Sequence, residues 1–226
     1  MTAGARVDEA VMLFGHWICP FSVRVEFALA QLDVPYEAVD VPPTVARPKG
    51  YVVPDEFLAH SPRREIPMIR AGGRYLVDSL PILEWLFRGP GGPDDAALER
   101  ARWVDRRVFA PMIAVSYGTD PEAISRAAAR LGHAFDDLAR LLAPSGWLAG
   151  DGPSIAEAAL VPMYVRLEGL RALGFGRALP EPVGDHLLRC LALPGGEVVR
   201  WNDAQHDEFV WRFRTYRERA AARAAS

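Results

Sequence analysis

The first ninety residues alternate between short apolar runs and amphipathic stretches, whereas the remainder carries only the longer helical period. Val11-Met-Leu-Phe14 is an apolar run of strand length, and it leads through Gly15-His-Trp-Ile-Cys-Pro20 into a new pattern. There Phe21, Val25, Ala28, Leu29 and Leu32 recur at the three- and four-residue spacing of one helix face. Pro35 ends that helix, and 36–41 reads as a second strand. After a Pro-rich loop, a short helix is predicted over 55–60. Met68-Ile-Arg70 and Tyr75-Leu-Val77 then flank Ala71-Gly-Gly-Arg74, the pattern of a β-hairpin. Asp78-Ser79 precedes an apolar helix over 80–87. The order strand, helix, strand, helix, strand, strand, helix suits a small mixed sheet with a parallel half.

Gly89-Pro-Gly-Gly-Pro93 is the strongest punctuation in the chain and reads as a linker. Beyond it no strand alternation is found. Helices are predicted over 98–117, 121–142, 154–172 and 203–222, with shorter ones near 182–201, and Pro111 is expected to kink the first. The Ala/Arg tail from Arg219 to Ser226 is expected to fray. The expected fold class is an α/β domain over 1–88, a linker over 89–97 and an all-α domain over 98–226.

Composition narrows the function classes. Half of the chain is hydrophobic and 24% is charged, the balance of a globular protein. Lys plus Arg is 26 and Asp plus Glu is 29, a net charge of −3 that lacks the footprint of a dedicated nucleic-acid binder. Lys49 is the sole lysine, so 25 of the 26 basic residues are arginine, the codon bias of a GC-rich genome. No run of eighteen apolar residues indicates a membrane span. The stretch 1–10 carries Asp8 and Glu9 and does not read as an export signal. Cys19 and Cys190 are therefore expected as free thiols in a reducing cytoplasm.

The candidate chemistry lies in Cys19-Pro20-Phe21-Ser22. Pro20 suits the first helical turn, where its missing N–H is no loss. Cys19 then stands at the helix N-terminus, where free N–H groups and the macrodipole favour a thiolate. A thiolate both attacks and leaves well in thiol–disulfide exchange. Ser22 holds the place of the second cysteine of a C-x-x-C pair, so the chemistry is monothiol; a packed, inert cysteine is the alternative. Ile66-Pro67, just before a strand, is a candidate cis bond, although most such bonds are trans. Asp78-Ser79 reads as an N-cap pair, and the same helix end could hold a ligand carboxylate.

Together these elements resemble the glutathione transferase superfamily, from about Val11 to about Tyr216, and Cys19-Pro20-Phe21 looks most like its Omega class. The resemblance implies a thioredoxin-like domain followed by an all-helical domain, with glutathione as cosubstrate and no metal. It implies Cys19 as the catalytic residue and Phe21, Ile66, Pro67, Asp78 and Ser79 as glutathione-binding positions. His16, Trp17, Phe109, Met112 and Tyr117 would border the acceptor pocket, with Trp201 and Trp211 covering it from the C-terminal side. Ser154-Ile-Ala-Glu157 matches the family's buried capping box. Val53 stands where Omega members place a glutathione-contacting lysine, a role for which Lys49 or Arg64 could substitute. Arg64-Glu65 and the shorter Asp78 also depart from the family pattern, which leaves another low-molecular-weight thiol open.

The implied activity is a thioltransferase or reductase acting on mixed disulfides or thioethers, in a cytoplasmic homodimer. Its other partner would be a small hydrophobic or disulfide-containing substrate, with neither nucleic acid nor membrane involved. Two other readings stand: glutathione conjugation, isomerisation or ether cleavage of a small electrophile, and a non-catalytic binding protein of the same fold. Histidines 60, 133, 186 and 206 show no zinc-ligand spacing, and Cys190 reads as a packed helical thiol. Arg100 to Arg107 reads as a solvated face or a dimer rim.

Overall fold

Alternation along β1 (Val11–Gly15) assigns each of its residues to one side of a sheet. Val11 and Leu13 enter the main core, whereas Phe14 joins Phe57 and Met68 in a smaller cluster on the opposite face. The structure is a computed structural model that describes residues 10–88, 94–142 and 144–224. The stretch 1–9, where an export signal was sought, and most of the linker reading, 89–93, lie outside them.

Strand β1 pairs in parallel with β2 (Tyr36–Asp40) and antiparallel with β3 (Met68–Ala71), which pairs antiparallel with β4 (Arg74–Val77). The sheet order is β2-β1-β3-β4, with Leu13 opposite Ala38 on one side and Ile69 on the other. Gly72 and Gly73 both take positive φ, 52° and 72°, which the tight turn between β3 and β4 requires. Helices α1 (Pro20–Gln31) and α3 (Ser79–Leu86) cover the main-core face, and α2 (Asp55–His60) covers the other through Phe57. This is the thioredoxin-like arrangement expected of the first half.

The described residues of the second half form helices and the loops between them, with no strand. α4 (Asp95–Val104) starts three residues before the apolar pattern does, because the Asp94 carboxylate accepts from the N–H groups of Ala96 and Ala97. Pro111 lies just beyond a local widening of the helix. A π-type turn over Asp105–Phe109 joins α4 to α5 (Ala110–Tyr117) in a backbone that stays helical on both sides, and this widening precedes the missing N–H of Pro111. α6 (Pro121–Leu141) begins on an Asp120 cap.

The predicted helix 154–172 is two helices, α7 (Ile155–Val165) and α8 (Leu167–Ala172), broken at Arg166. The expected capping box is present: Glu157 accepts from Ser154 N–H at 2.8 Å and also holds the buried N–H of Leu148 at 2.7 Å. α9 (Glu181–Leu191) and α10 (Pro194–Val199) follow. Gly195 lets α10 lie against α1, since a Cβ there would stand 2.3 Å from the Phe27 carbonyl oxygen. α11 (Asp203–Ala224) extends into the tail expected to fray as far as Ala224, where Ala and Arg are strong helix formers. Among the described residues, no helix is long and apolar enough to cross a membrane.

Candidate active site

The turn from β1 into α1 presents Cys19 as the N-cap, with extended φ and ψ of −83° and 117°. Its carbonyl accepts from Ser22 and Val23 N–H, both at 3.1 Å, which starts the helix, while Pro20 fills the first helical position. Three contacts hold the preceding loop. His16 carbonyl accepts from Cys19 N–H at 3.0 Å, His16 Nδ1 accepts from Ile18 N–H at 3.1 Å, and Arg166 Nη2 donates to the Ile18 carbonyl at 2.8 Å. Among the described residues the Cys19 thiol makes one hydrogen bond, a long one of 3.8 Å to the Ile66 carbonyl oxygen. Ser22 is buried under β1, its Oγ without a partner and 3.0 Å from where a Cβ on Gly15 would stand.

Two cavities meet at Cys19 and Phe21. The larger, about 730 Å³, is lined by Ile66, Pro67, Asp78 and Ser79, with Arg47, Arg63, Arg64 and Asp105 supplying charge around them. The Ile66–Pro67 bond is cis. Asp78 does not cap α3. It takes a φ of +73°, and its carboxylate pairs with Arg63 at 2.7 Å. The first turn of α3 therefore has no side-chain cap, and Ser79, Leu80 and Pro81 line the cavity there.

Behind Ser79 lies Arg24, fully buried. It donates to Ser79 Oγ at 3.5 Å and to Asp105 at 2.7 Å, and stacks on Phe109 at 4.4 Å and Phe21 at 5.1 Å. It thus ties α1 to α3 and to the π-type turn of the helical half.

The smaller cavity, about 230 Å³, has walls of Ile18, Met112, Ile113, Phe209 and Phe213. Its polar lining includes Ser116, Tyr117 and Arg166. Burial, and then the neighbouring Cys19, push the Tyr117 hydroxyl above its ordinary value. Burial pushes the Arg166 guanidinium down to about 9, with Cys19 opposing, so it stays charged at neutral pH.

Of the residues proposed from sequence, Cys19, Phe21, Ile66, Pro67, Asp78 and Ser79 come together around the larger cavity, and Met112 and Tyr117 line the smaller. His16, Trp17 and Phe109 line neither. His16 is turned into the loop, close to Asp40 at 3.8 Å, and burial lowers its pKa. Trp17 packs edge-on against Trp201, which also stays out of both cavities, and Phe109 lies under Phe21 and Arg24. Trp211 is exposed on α11. Lys49 does not reach the larger cavity and Val53 packs against the smaller core cluster, whereas Arg64 and the unanticipated Arg47 line that cavity.

Sequence reasoning also missed Arg166. Its signal was a lone charge following the apolar run from Ala158 to Val165. Among the described residues no group of three or more metal-ligating side chains gathers.

The family described as glutathione S-transferase, N-terminal domain, matches residues 13–94, and its C-terminal domain counterpart matches residues 121–189. The chain is 32% identical to glutathione S-transferase U3 of Arabidopsis thaliana over 116 residues, 46% of this chain and 48% of that protein. The matches span about half the length of the curated relatives. Among solved structures, rice GST1 (OsGSTU1) in complex with glutathione superposes with a TM-score of 0.76 at 19% identity, over 93% of this chain and 97% of that one. Glutathione transferase Omega 3C from Trametes versicolor gives 0.71 at 18%, over 86% and 90%. At such identities the likeness is one of fold.

Proposed function

Because the chain belongs to the glutathione transferase superfamily, we propose that it is a glutathione-dependent transferase of the cysteine type, with the Cys19 thiolate as its attacking group. The observation that carries this reading is the meeting of two cavities at Cys19, one charged and one apolar. Glutathione lies in the larger. Its cysteinyl backbone pairs beside Ile66 and Pro67, and its γ-glutamyl end meets Asp78, Ser79 and the uncapped start of α3. Arg47 and Arg64 offer charge to its remaining carboxylate. The acceptor enters the smaller cavity.

Cys19 attacks the glutathionyl sulfur of a mixed disulfide. A Cys19–glutathione disulfide forms, the substrate's sulfur–sulfur bond breaks, and the substrate leaves as a thiolate. A second glutathione thiolate then attacks that disulfide, releasing oxidised glutathione and restoring the Cys19 thiolate. Ser22, buried and without a thiol, offers no internal route, which makes the cycle monothiol. Cys-Pro-Phe is the feature that favours the Omega-like subtype, while the curated relatives include Arabidopsis U-series transferases.

The second reading, conjugation of a small electrophile by glutathione's own thiolate, rests on the apolar walls of the smaller cavity and makes the opposite demand on Cys19. Cys19→Ser should abolish reduction of a glutathionylated disulfide, because among the described residues no carboxylate or imidazole is hydrogen-bonded to this position to activate a hydroxyl. Conjugation to a chlorinated aromatic should persist or rise. Full retention of disulfide reduction would remove Cys19 from the covalent role.

The protein works in the cytoplasm as a homodimer. The charged 100–107 stretch, whose exposed Arg102 and Arg106 pair with Glu84 and Glu99 of the same chain, is the face proposed for the two-fold contact. Light scattering at micromolar concentration should give twice 24.9 kDa. The mass of one chain would reject the dimer.

A further inference from the structure

The smaller cavity contains a cation that holds the Ile18 carbonyl ahead of Cys19 and takes no bond-making part in the disulfide exchange. Arg166 is 1% exposed, and no carboxylate of the described residues is placed to neutralise it. Among the described residues its guanidinium donates to the carbonyls of Pro162, Trp17 and Ile18 and faces the ring of Trp201 at 4.8 Å, with Cys19 and Tyr117 as the only ionisable groups that favour its charge. Carbonyl dipoles and a ring face offset part of the desolvation of a full charge, and no more. The other buried guanidinium, Arg24, sharpens the contrast, because it has a carboxylate at 2.7 Å. Arg24 also repels Arg166.

Three bonds from Nη1 and Nη2 leave further N–H donors on the Arg166 guanidinium. Beside it, the half-buried Tyr117 hydroxyl bonds to no group of the described residues and feels the charges of both Arg166 and Cys19. The rest of the wall is almost entirely apolar. A buried cation and a free hydroxyl in an apolar cavity are complementary to one negative group on an apolar body.

We propose that Arg166 and Tyr117 form an anion hook in the acceptor cavity, so that the preferred acceptor is an apolar molecule of aromatic size bearing one carboxylate. The carboxylate lies between guanidinium and hydroxyl while the apolar body packs on Met112, Phe209 and Phe213, within the cavity that Cys19 also lines. A single cation with one neutral donor suits one negative charge. A dianionic phosphate would call for a second cation. The inference rests on the reading of this cavity as the acceptor site.

The test uses two probes of equal shape, 2-naphthoate and 2-naphthamide, titrated calorimetrically into the full chain. The wild type should bind the carboxylate at least about tenfold more tightly than the amide, the effect of a charge-assisted bond in a dry site. Tyr117→Phe, which removes one oxygen and no packing, should reduce that preference about threefold or more. Arg166→Met should abolish it while leaving amide binding in place. Equal affinities of the wild type for the two probes would overturn the hook, as would a preference that survives Tyr117→Phe undiminished.

If Arg166→Met does not fold, the wild type and Tyr117→Phe decide. Glutathionylation of Cys19 is followed in the same preparations. A preference for naphthoate without glutathionylation would refute the thiol mechanism and keep the hook, and the reverse outcome would refute the hook alone.

Discussion

Removing either partner of the Arg24–Asp105 pair should have unequal effects, and the inequality is calculable. Arg24 has no exposed side-chain surface, whereas Asp105 is 32% exposed. Asp105→Ala leaves a buried guanidinium with only Ser79 at 3.5 Å and two aromatic faces. Orphaning one charge of a fully buried pair costs about 3–5 kcal/mol, and water at Asp105 discounts this to about 2–3 kcal/mol. Arg24→Met removes the charge itself. It loses about 1 kcal/mol of partly screened ion pair and about 1 kcal/mol of cation–π contact. It also removes Arg24 Nε, buried without a partner, whose desolvation costs about 1–3 kcal/mol.

The net for Arg24→Met is therefore within about 1 kcal/mol of the wild type. The double variant should match Arg24→Met. At about 2–4 °C per kcal/mol for a chain of this length, Asp105→Ala lowers the melting temperature by roughly 4–12 °C and Arg24→Met by no more than about 4 °C. Urea denaturation followed by both circular dichroism and tryptophan fluorescence reads the difference and checks that one transition is measured. An Arg24→Met variant as unstable as Asp105→Ala would refute the reasoning.

Two further outcomes follow from the packing and the charges. Gly195→Ala drives a Cβ to 2.3 Å from the Phe27 carbonyl and should destabilise the α1–α10 contact by about 1–3 kcal/mol in the same urea assay; an unchanged midpoint would show that α10 does not lie so close. Burial holds the Glu26 carboxyl above its ordinary 4.5, opposed by the Tyr36 hydroxyl bond at 3.1 Å. Above that ordinary value the folded state keeps the proton more readily than the unfolded one, so Glu26 makes stability fall as pH rises. Glu26→Gln retains an acceptor for Tyr36 and should flatten the fall as pH rises above about 4.5. An equal or steeper slope, measured by thermal melts above that pH, would contradict the burial.

Much of the α/β half was legible because each strand and helix carries its own period and its own punctuation. The Gly72-Gly73 turn and the start of α1 at Pro20 are local chemistry, readable without neighbours. The helical half was less so. The apolar run through Val165 masked the break at Arg166, and Pro111 signalled a disturbance without revealing that a π-type turn would absorb it. At the site, Cys19, Ile66-Pro67 and Asp78-Ser79 were legible because they sit at element ends that define themselves. Arg24 meets Asp105 across 81 residues and Arg166 meets Ile18 across 148, and only tertiary packing brings such pairs together. His16 was expected at the acceptor pocket, but a bond two residues long, from Ile18 N–H to Nδ1, turns its ring into the loop.

The central claim is that Cys19 itself carries glutathione. The most direct measurement is intact mass after incubation with oxidised glutathione, with the adduct located by peptide mapping. Cys190 serves as an internal control, because it is fully buried and desolvation pushes its thiol well above the ordinary range. The account predicts one glutathione per chain, on Cys19 alone, released by added glutathione and absent from Cys19→Ser. No adduct on the folded protein, or an adduct on Cys190 with Cys19 untouched, would contradict it.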